Sequence, residues 1–212
     1  MDLAKIGFVV GLTAELALLK GIRCMGGAGG GTAEGAENLA TILIDEGAEA
    51  LISFGLAGGL NPALAPGAIL VPSAIVEGGQ SYVCDPALLA WLGGANCTAM
   101  LGADAIAVTA ADKQALFAAT GADAIDLESG AVARVASAHG VPFAVLRAVC
   151  DPAGRDLPPA ALIALDGGGK IGMLRVLASV LRRPGQVPDL LKLAGDASAA
   201  RLALKARVRA LR

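Results

Sequence analysis

Aromatic side chains make up only 3% of this 212-residue chain: one Trp, one Tyr and four Phe. The core must therefore come from the Ala, Leu, Val and Ile that dominate a 55% hydrophobic share, which is ample for one compact domain over residues 1–212. There is one His, and none of the four cysteines (Cys24, Cys84, Cys97, Cys150) forms a C-x-x-C pair. A structural zinc site of the usual spacing is excluded, a disulfide framework has no support, and no metal or cofactor is expected. No run of ~18 apolar residues could span a bilayer. The N-terminus lacks a basic segment followed by an apolar run and a small-residue cleavage site. A cytoplasmic location is the expectation. No G-x-G-x-x-G occurs, since Gly27 and Gly29 lead to Thr32, and Gly29 and Gly31 to Glu34. That disfavours a dinucleotide site and an NAD-type oxidoreductase.

Glycine, by contrast, is abundant, with 29 residues in clusters that suit close approach of backbone to a ligand. Charge is uneven. Residues 1–169 carry 7 Lys+Arg against 17 Asp+Glu, net −10, whereas residues 170–212 carry 10 against 2, net +8. The body is acidic and the tail basic.

Apolar runs at residues 5–10, 50–56, 68–76 and 141–149 predict buried strands. Helical patterns cover residues 14–20 (capped by Thr13), 32–46, 86–92, 111–119 and 127–139. Asp126 is placed to cap the last of these and Gly140 to end it. Two basic helices follow at about 170–183 and 188–211, broken by Pro184-Gly185. Residues 26–31 read as a glycine loop. Alternating strands and helices imply an α/β fold with a mostly parallel sheet and right-handed crossovers. In such sheets ligands bind beyond the carboxyl ends of the strands. Three places qualify: the loop after Val10, the Gly55–Gly59 segment read as a turn, and the stretch after Val149.

Several residues there could carry chemistry. Asp151 follows an apolar strand, where partial burial raises a carboxyl pKa and prepares a general acid; a turn cap before Pro152 is the plain alternative. Glu128 opens a helix, so it either complements the dipole or accepts hydrogen bonds from adjacent sugar hydroxyls. Glu15 is by default a solvated helix residue; facing a pocket, it could orient a water. Gly55, Leu56, Ala57 and Gly58 could present backbone N–H groups to a ligand. Gly27, Gly29 and Gly31 could cradle an anion. His139 reads as a helix C-cap, and Arg147 as the partner of a buried carboxylate.

Four segments together resemble the nucleoside phosphorylase and nucleosidase superfamily: Gly11-Leu12-Thr13-Ala14-Glu15, Ile52-Ser53-Phe54-Gly55-Leu56-Ala57-Gly58-Gly59-Leu60, Asp126-Leu127-Glu128-Ser129, and Val141 through Asp151. Their order and spacing agree over roughly residues 5–155. The region 155–183 and the short middle loop look like a narrower group, the hopanoid-associated phosphorylases, assigned to releasing adenine from adenosylhopane.

The resemblance implies a three-layer nucleoside-phosphorylase-like fold, a central twisted sheet flanked by helices, and a homodimer. It implies cleavage of the N-glycosidic bond of a 5′-substituted adenosine through a transition state with positive charge on the sugar. Asp151 would protonate the base at N7, Glu128 would grip the sugar hydroxyls and Glu15 would position the attacking water. Leu127 would pack on the sugar where the family often has Met. The chain also departs from the pattern. Ile106 stands where relatives stack an aromatic on adenine, and Ser53 where phosphorylases often carry a phosphate-binding Arg. With phosphate as the candidate co-substrate, its site would fall to Gly27, Gly29 and Gly31. Hydrolysis is therefore slightly favoured over phosphorolysis. The segment between Glu77 and Asp85 is short, which leaves the sugar's 5′ side open. A non-catalytic nucleoside-binding module on the same fold is the competing reading, and no nucleic-acid partner is expected.

In the last helix, Leu190, Leu193, Ala197, Ala200, Leu204, Val208 and Leu211 form one apolar stripe. The stripe either docks on the sheet, or the surrounding basic residues bring the protein to anionic membrane.

Overall fold

In the computed structural model, residues 2–161 and 182–211 are described. The chain runs β1 (Ile6–Val10), α1 (Thr13–Leu16), β2 (Met25–Ala28), α2 (Ala33–Asp45), β3 (Ala50–Gly59), β4 (Ile69–Leu70) and β5 (Pro72–Glu77). It continues with β6 (Gln80–Val83), α3 (Pro86–Trp91), β7 (Cys97–Gly102), α4 (Ala110–Thr120), β8 (Ala124–Asp126), α5 (Ser129–His139), β9 (Phe143–Asp151) and α6 (Val187–Ala210). The expected helix at about 170–183 falls almost entirely outside the described residues.

One nine-stranded sheet forms the centre, in the order β2-β1-β3-β8-β7-β5-β6, with β9 beside β3 and β4 beside β9. Five of its pairings are parallel and three antiparallel. This is the expected α/β architecture of a mostly parallel sheet flanked by helices. β1 is buried at every position, as are the first six residues of β3 and the first seven of β9. Strands covered on both faces need such uninterrupted apolar runs. Phe8 meets Phe54 and Trp91 edge-on, with centroids 6.1 and 6.5 Å apart, so half of the few aromatics gather in one cluster.

Several expectations need correction. Residues 26–31 are not simply a loop: Met25–Ala28 is a strand parallel to β1. A Cβ on Gly27 would stand 2.9 Å from Leu39, and one on Gly29 2.8 Å from the Gly35 backbone, so these glycines let α2 lie close against the strand. The Gly55–Gly59 segment is the second half of β3 rather than a turn. The run 68–76 divides into β4 and β5, which join different neighbours. Residues 77–85 form a hairpin, β5 turning on Gly78-Gly79 (φ 56° and 82°) into β6. β7 and β8 were not anticipated. Leu12 rather than Thr13 is the N-cap of α1. Helix α5 begins two residues late, with Glu128 rather than Asp126 as its N-cap; Asp126 lies in β8, and its Oδ1 accepts the amides of Glu128 (3.1 Å) and Ser129 (2.8 Å) in the turn before the helix.

At the end of β9 the register with β3 shifts. Ala57 pairs with Val149, but Gly58 pairs with Asp151, so Cys150 is an extra residue on β9. The C-terminal helix docks as one reading of its stripe requires. Ala200, Leu204 and Val208 are fully buried, and α6 packs mainly on β9.

Candidate active site

The carboxyl ends of β1, β3, β8 and β9 bring together residues distant in sequence. Glu15 sits in the first turn of α1, directly beyond β1. Its Oε2 accepts the Leu12 amide at 2.8 Å and its Oε1 accepts the Leu56 amide of β3 at 2.9 Å. It is buried, against the expectation of a solvated residue, because both oxygens satisfy backbone donors that would otherwise be orphaned. The Leu56 N–H is therefore committed to Glu15 and not free for a ligand.

Glu128 lies alongside. A Cβ on Gly11 would stand 2.6 Å from its Oε1 and 3.3 Å from Oε2 of Glu15, so the two carboxylates converge on that glycine. Arg147 of β9 serves both halves of the cluster. Its Nη2 is 3.0 Å from Oε2 of Glu128 and donates to Ser53 Oγ at 2.6 Å, while Nη1 donates to the Leu56 carbonyl at 3.2 Å. Nε lies 2.8 Å from Asp126 Oδ2, but its N–H is not directed into a hydrogen bond, so that contact is Coulombic. Ser129 Oγ bridges Asp126 (2.5 Å) and Ser53 (3.0 Å). Arg147 thus pairs with buried carboxylates, as its place in an apolar strand suggested.

One guanidinium among Glu15, Asp126 and Glu128 leaves the cluster negative. Burial pushes the Glu128 carboxyl up to about 7; Arg147 opposes the shift, and the neighbouring Asp126 and Glu15 reinforce it.

Asp151, the last residue of β9, is four residues beyond Arg147, about 13 Å along the strand. Its Oδ2 is 2.6 Å from the fully buried Nζ of Lys113 on α4. Burial raises its pKa, and Lys113 works against the rise. Gly58 faces it across the register, where a Cβ would stand 3.9 Å from Oδ2.

The other anticipated residues are placed less decisively. Leu127 is half-buried between Asp126 and Glu128, and Ile106 is half-buried in the β7–α4 connection. Gly55 lies opposite Arg147, and Ala57 is buried in β3. The three glycines suggested for phosphate do not form one cradle. Gly27 pairs with Val9 inside the sheet, and the Gly29 N–H donates to the Val10 carbonyl at 2.8 Å. Only Gly31 (φ 75°) borders the cluster, with a Cβ there 3.9 Å from Glu128 Oε1. His139 Nδ1 lies 2.9 Å from the Val135 carbonyl, in keeping with a helix-end role. A groove of about 400 Å³ lined by Ser81, Tyr82, Val83, Pro142 and Phe143 opens at the amino end of β9, away from these carboxylates. The groove gathers no set of paired ionisable groups comparable to theirs.

Sequence reasoning missed Lys113, the close approach of Gly11 to both carboxylates, and the bridging role of Ser53 and Ser129. Lys113 follows Asp112, which completes the capping box of Thr109, and a Lys beside such a polar turn looks solvated.

The profile of the Phosphorylase superfamily matches residues 11–88 and 96–166. The fold is shared with S-adenosylhomocysteine nucleosidase from Streptococcus pyogenes in complex with 5-methylthiotubericidin, at TM-score 0.67 and 21% identity over 85% of this chain and 97% of that one. A Helicobacter pylori 5′-methylthioadenosine/S-adenosylhomocysteine nucleosidase variant holding 5′-methylthioadenosine superposes at 0.69, with 17% identity over 99% and 100%. Futalosine hydrolase of the same organism superposes at 0.67, with 16% identity over 98% of both chains. No curated protein sequence matches the chain. With the family profile covering most of its length, the chain belongs to the Phosphorylase superfamily.

Proposed function

We propose that this protein releases adenine from a 5′-substituted adenosine by hydrolysis of the N-glycosidic bond. The observation that carries the reading is the arrangement about β9: the Asp151 carboxyl, its pKa raised by burial, at the end of the strand, and a net-negative cluster of Glu15, Asp126 and Glu128 around Arg147, four residues back. Cleavage builds positive charge on the sugar and negative charge on the departing base. Negative groups beside the sugar and an acid beside the base stabilise both. Asp151 protonates the base at N7, Glu128 accepts the sugar hydroxyls, and Glu15 holds the water. Leu127 packs on the sugar and Ile106 against the base.

Water is favoured over phosphate on electrostatic grounds. The Nη groups of Arg147 meet protein acceptors, its Nε lies against Asp126, and Ser53 is buried against Arg147. A phosphate dianion would enter beside unneutralised carboxylates. A bulky 5′ group, as in adenosylhopane, is supported by the resemblance of region 155–183 and by the compact β5–β6 hairpin.

The test is adenine release from a panel of 5′-modified adenosines, with and without phosphate. The expected products are adenine and free sugar irrespective of phosphate. Asp151→Asn should lower kcat by ~10²–10⁴-fold, the range of general acid catalysis. Sugar 1-phosphate formed only with phosphate would reverse the choice of acceptor. Tight nucleoside binding with no turnover would favour a binding module.

We propose further that α6 offers an anionic-membrane contact. Its inner stripe is docked, yet Leu191 and Leu202 remain 68% and 64% exposed on the opposite face. Lys192, Arg201, Lys205 and Arg209 are exposed beside them. Apolar residues within a basic field suit the surface of an anionic bilayer.

A further inference from the structure

Lys113 is fully buried, and a lysine is rarely so unless it is paired. Its ammonium has three donors and meets three acceptors: Oδ2 of Asp151 at 2.6 Å, the Arg155 carbonyl at 2.8 Å and the Pro152 carbonyl at 3.2 Å. The residue therefore clamps the chain where it leaves β9. The base of α4 is tied to the same segment, since the Ala110 amide donates to Asp156 Oδ1 at 2.8 Å. A clamp alone would not need charge. Buried ion pairs often contribute no more stability than apolar packing of the same volume.

We infer that Lys113 is the positioning residue of Asp151: it fixes Oδ2, leaves Oδ1 to meet the base, and sets the pH at which the carboxyl gives up its proton. This rests on the hydrolase reading above. The charged groups facing Asp151 are Lys113 from α4, Arg155 from the segment after β9 and Asp196 from α6; its own strand adds the Cys150 thiol. Arg155 and Asp196 are paired with each other and largely cancel. Among the described residues, Lys113 is then the uncompensated counter-charge. In the reaction the Oδ1–H bond breaks as the base nitrogen gains that proton. The electron pair of the C–N bond leaves with the base, water adds to the sugar carbon and gives up one proton to the Glu15 carboxylate that holds it, and Asp151 regains a proton from solvent once the products leave. Lys113 keeps its protons throughout.

The experiment compares Lys113→Met, Lys113→Gln and Lys113→Arg in the full chain, using 5′-methylthioadenosine as the probe. Activity should fall at high pH as Asp151 ionises. Removing the cation raises the Asp151 pKa, so this alkaline limb should move up by about one unit or more in Lys113→Met and Lys113→Gln, the scale of an opposite charge within 4–6 Å. Lys113→Arg should keep the limb near its wild-type position. KM should change less than kcat. A folded Lys113→Gln protein with reduced activity but an unmoved limb would overturn the inference. The Asp151 carboxyl is also titrated by carbon NMR, with Asp151→Asn identifying the signal, in wild type and in whichever uncharged variant folds best. An upward shift supports the inference even if no adenine is released, in which case only the hydrolase reading fails. An unchanged titration overturns it.

Discussion

Gly11 and Glu128 are so close that a single methyl group would not fit between them: a Cβ on Gly11 would stand 2.6 Å from Glu128 Oε1. What it would meet is a carboxylate tip held in place by Arg147, not backbone. Gly11→Ala should therefore displace Glu128, the proposed sugar anchor, while leaving the fold intact. The expected loss in kcat/KM is about 10²-fold, the scale of an ångström-sized misplacement. The melting temperature should fall by no more than about 2–4 °C, as for ~1 kcal/mol in a chain of this size. Steady-state kinetics beside a thermal melt checks both, and unimpaired kinetics would contradict this placement of the anchor.

Glu128→Gln should discriminate between sugars. If the carboxylate accepts the ribose hydroxyls, the substitution harms ribosides far more than 2′-deoxyribosides, which lack one of the partners. The measurement is kcat/KM for a matched pair of substrates. Equal losses on both would remove Glu128 from sugar recognition.

The same substitution should alter how stability depends on pH. Burial raises the Glu128 carboxyl from its ordinary 4.5 to about 7, so the folded protein holds a proton there that the unfolded chain has released. Stability contributed by this group is greatest below the unfolded value and is lost as pH rises through about 7. Urea unfolding at pH 5 and pH 8 should show wild type less stable at pH 8. The decline should be smaller in Glu128→Gln. A decline of equal size in both proteins would assign it to another group.

Deleting α6 would be a poor test of membrane contact, because Ala200, Leu204 and Val208 belong to the core. Surface substitutions isolate the question. Lys205→Glu with Arg209→Glu should abolish co-sedimentation with anionic liposomes, and Leu191→Ser with Leu202→Ser should weaken it. Each basic residue near the surface contributes about 1 kcal/mol, so binding should also decline with salt. Equal sedimentation with neutral and anionic vesicles, or none with either, would leave α6 as a docked helix only.

The parts of this fold legible in the sequence were those where burial is continuous or periodic. β1, β3 and β9 announce themselves as apolar runs, and the α6 stripe follows the helical period. β2 was hidden because Met25-Gly26-Gly27-Ala28 has the composition of a loop; it is a strand because missing side chains let α2 approach. β8 has only three residues, and β7 mixes polar and apolar positions. Of the candidate site, Asp151 and Glu128 came forward through the resemblance of their segments to the superfamily, and Arg147 as the partner of a buried carboxylate from its place in an apolar strand. Lys113 could not be read this way, since its burial depends on where the segment after β9 returns, and nothing local in α4 reports that.

The register shift at the end of β9 gives Cys150 an unusual kind of importance. Its thiol is free, and the feature it creates is the surplus residue between Val149 and Asp151. A bulge re-aims the side chains that follow it. Replacing Cys150 with a residue of similar size should preserve that aim. Removing it would restore regular pairing and turn Asp151 relative to Lys113, leaving every side chain of the candidate site present but Asp151 misdirected. At this position the chain's length counts for more than its chemistry.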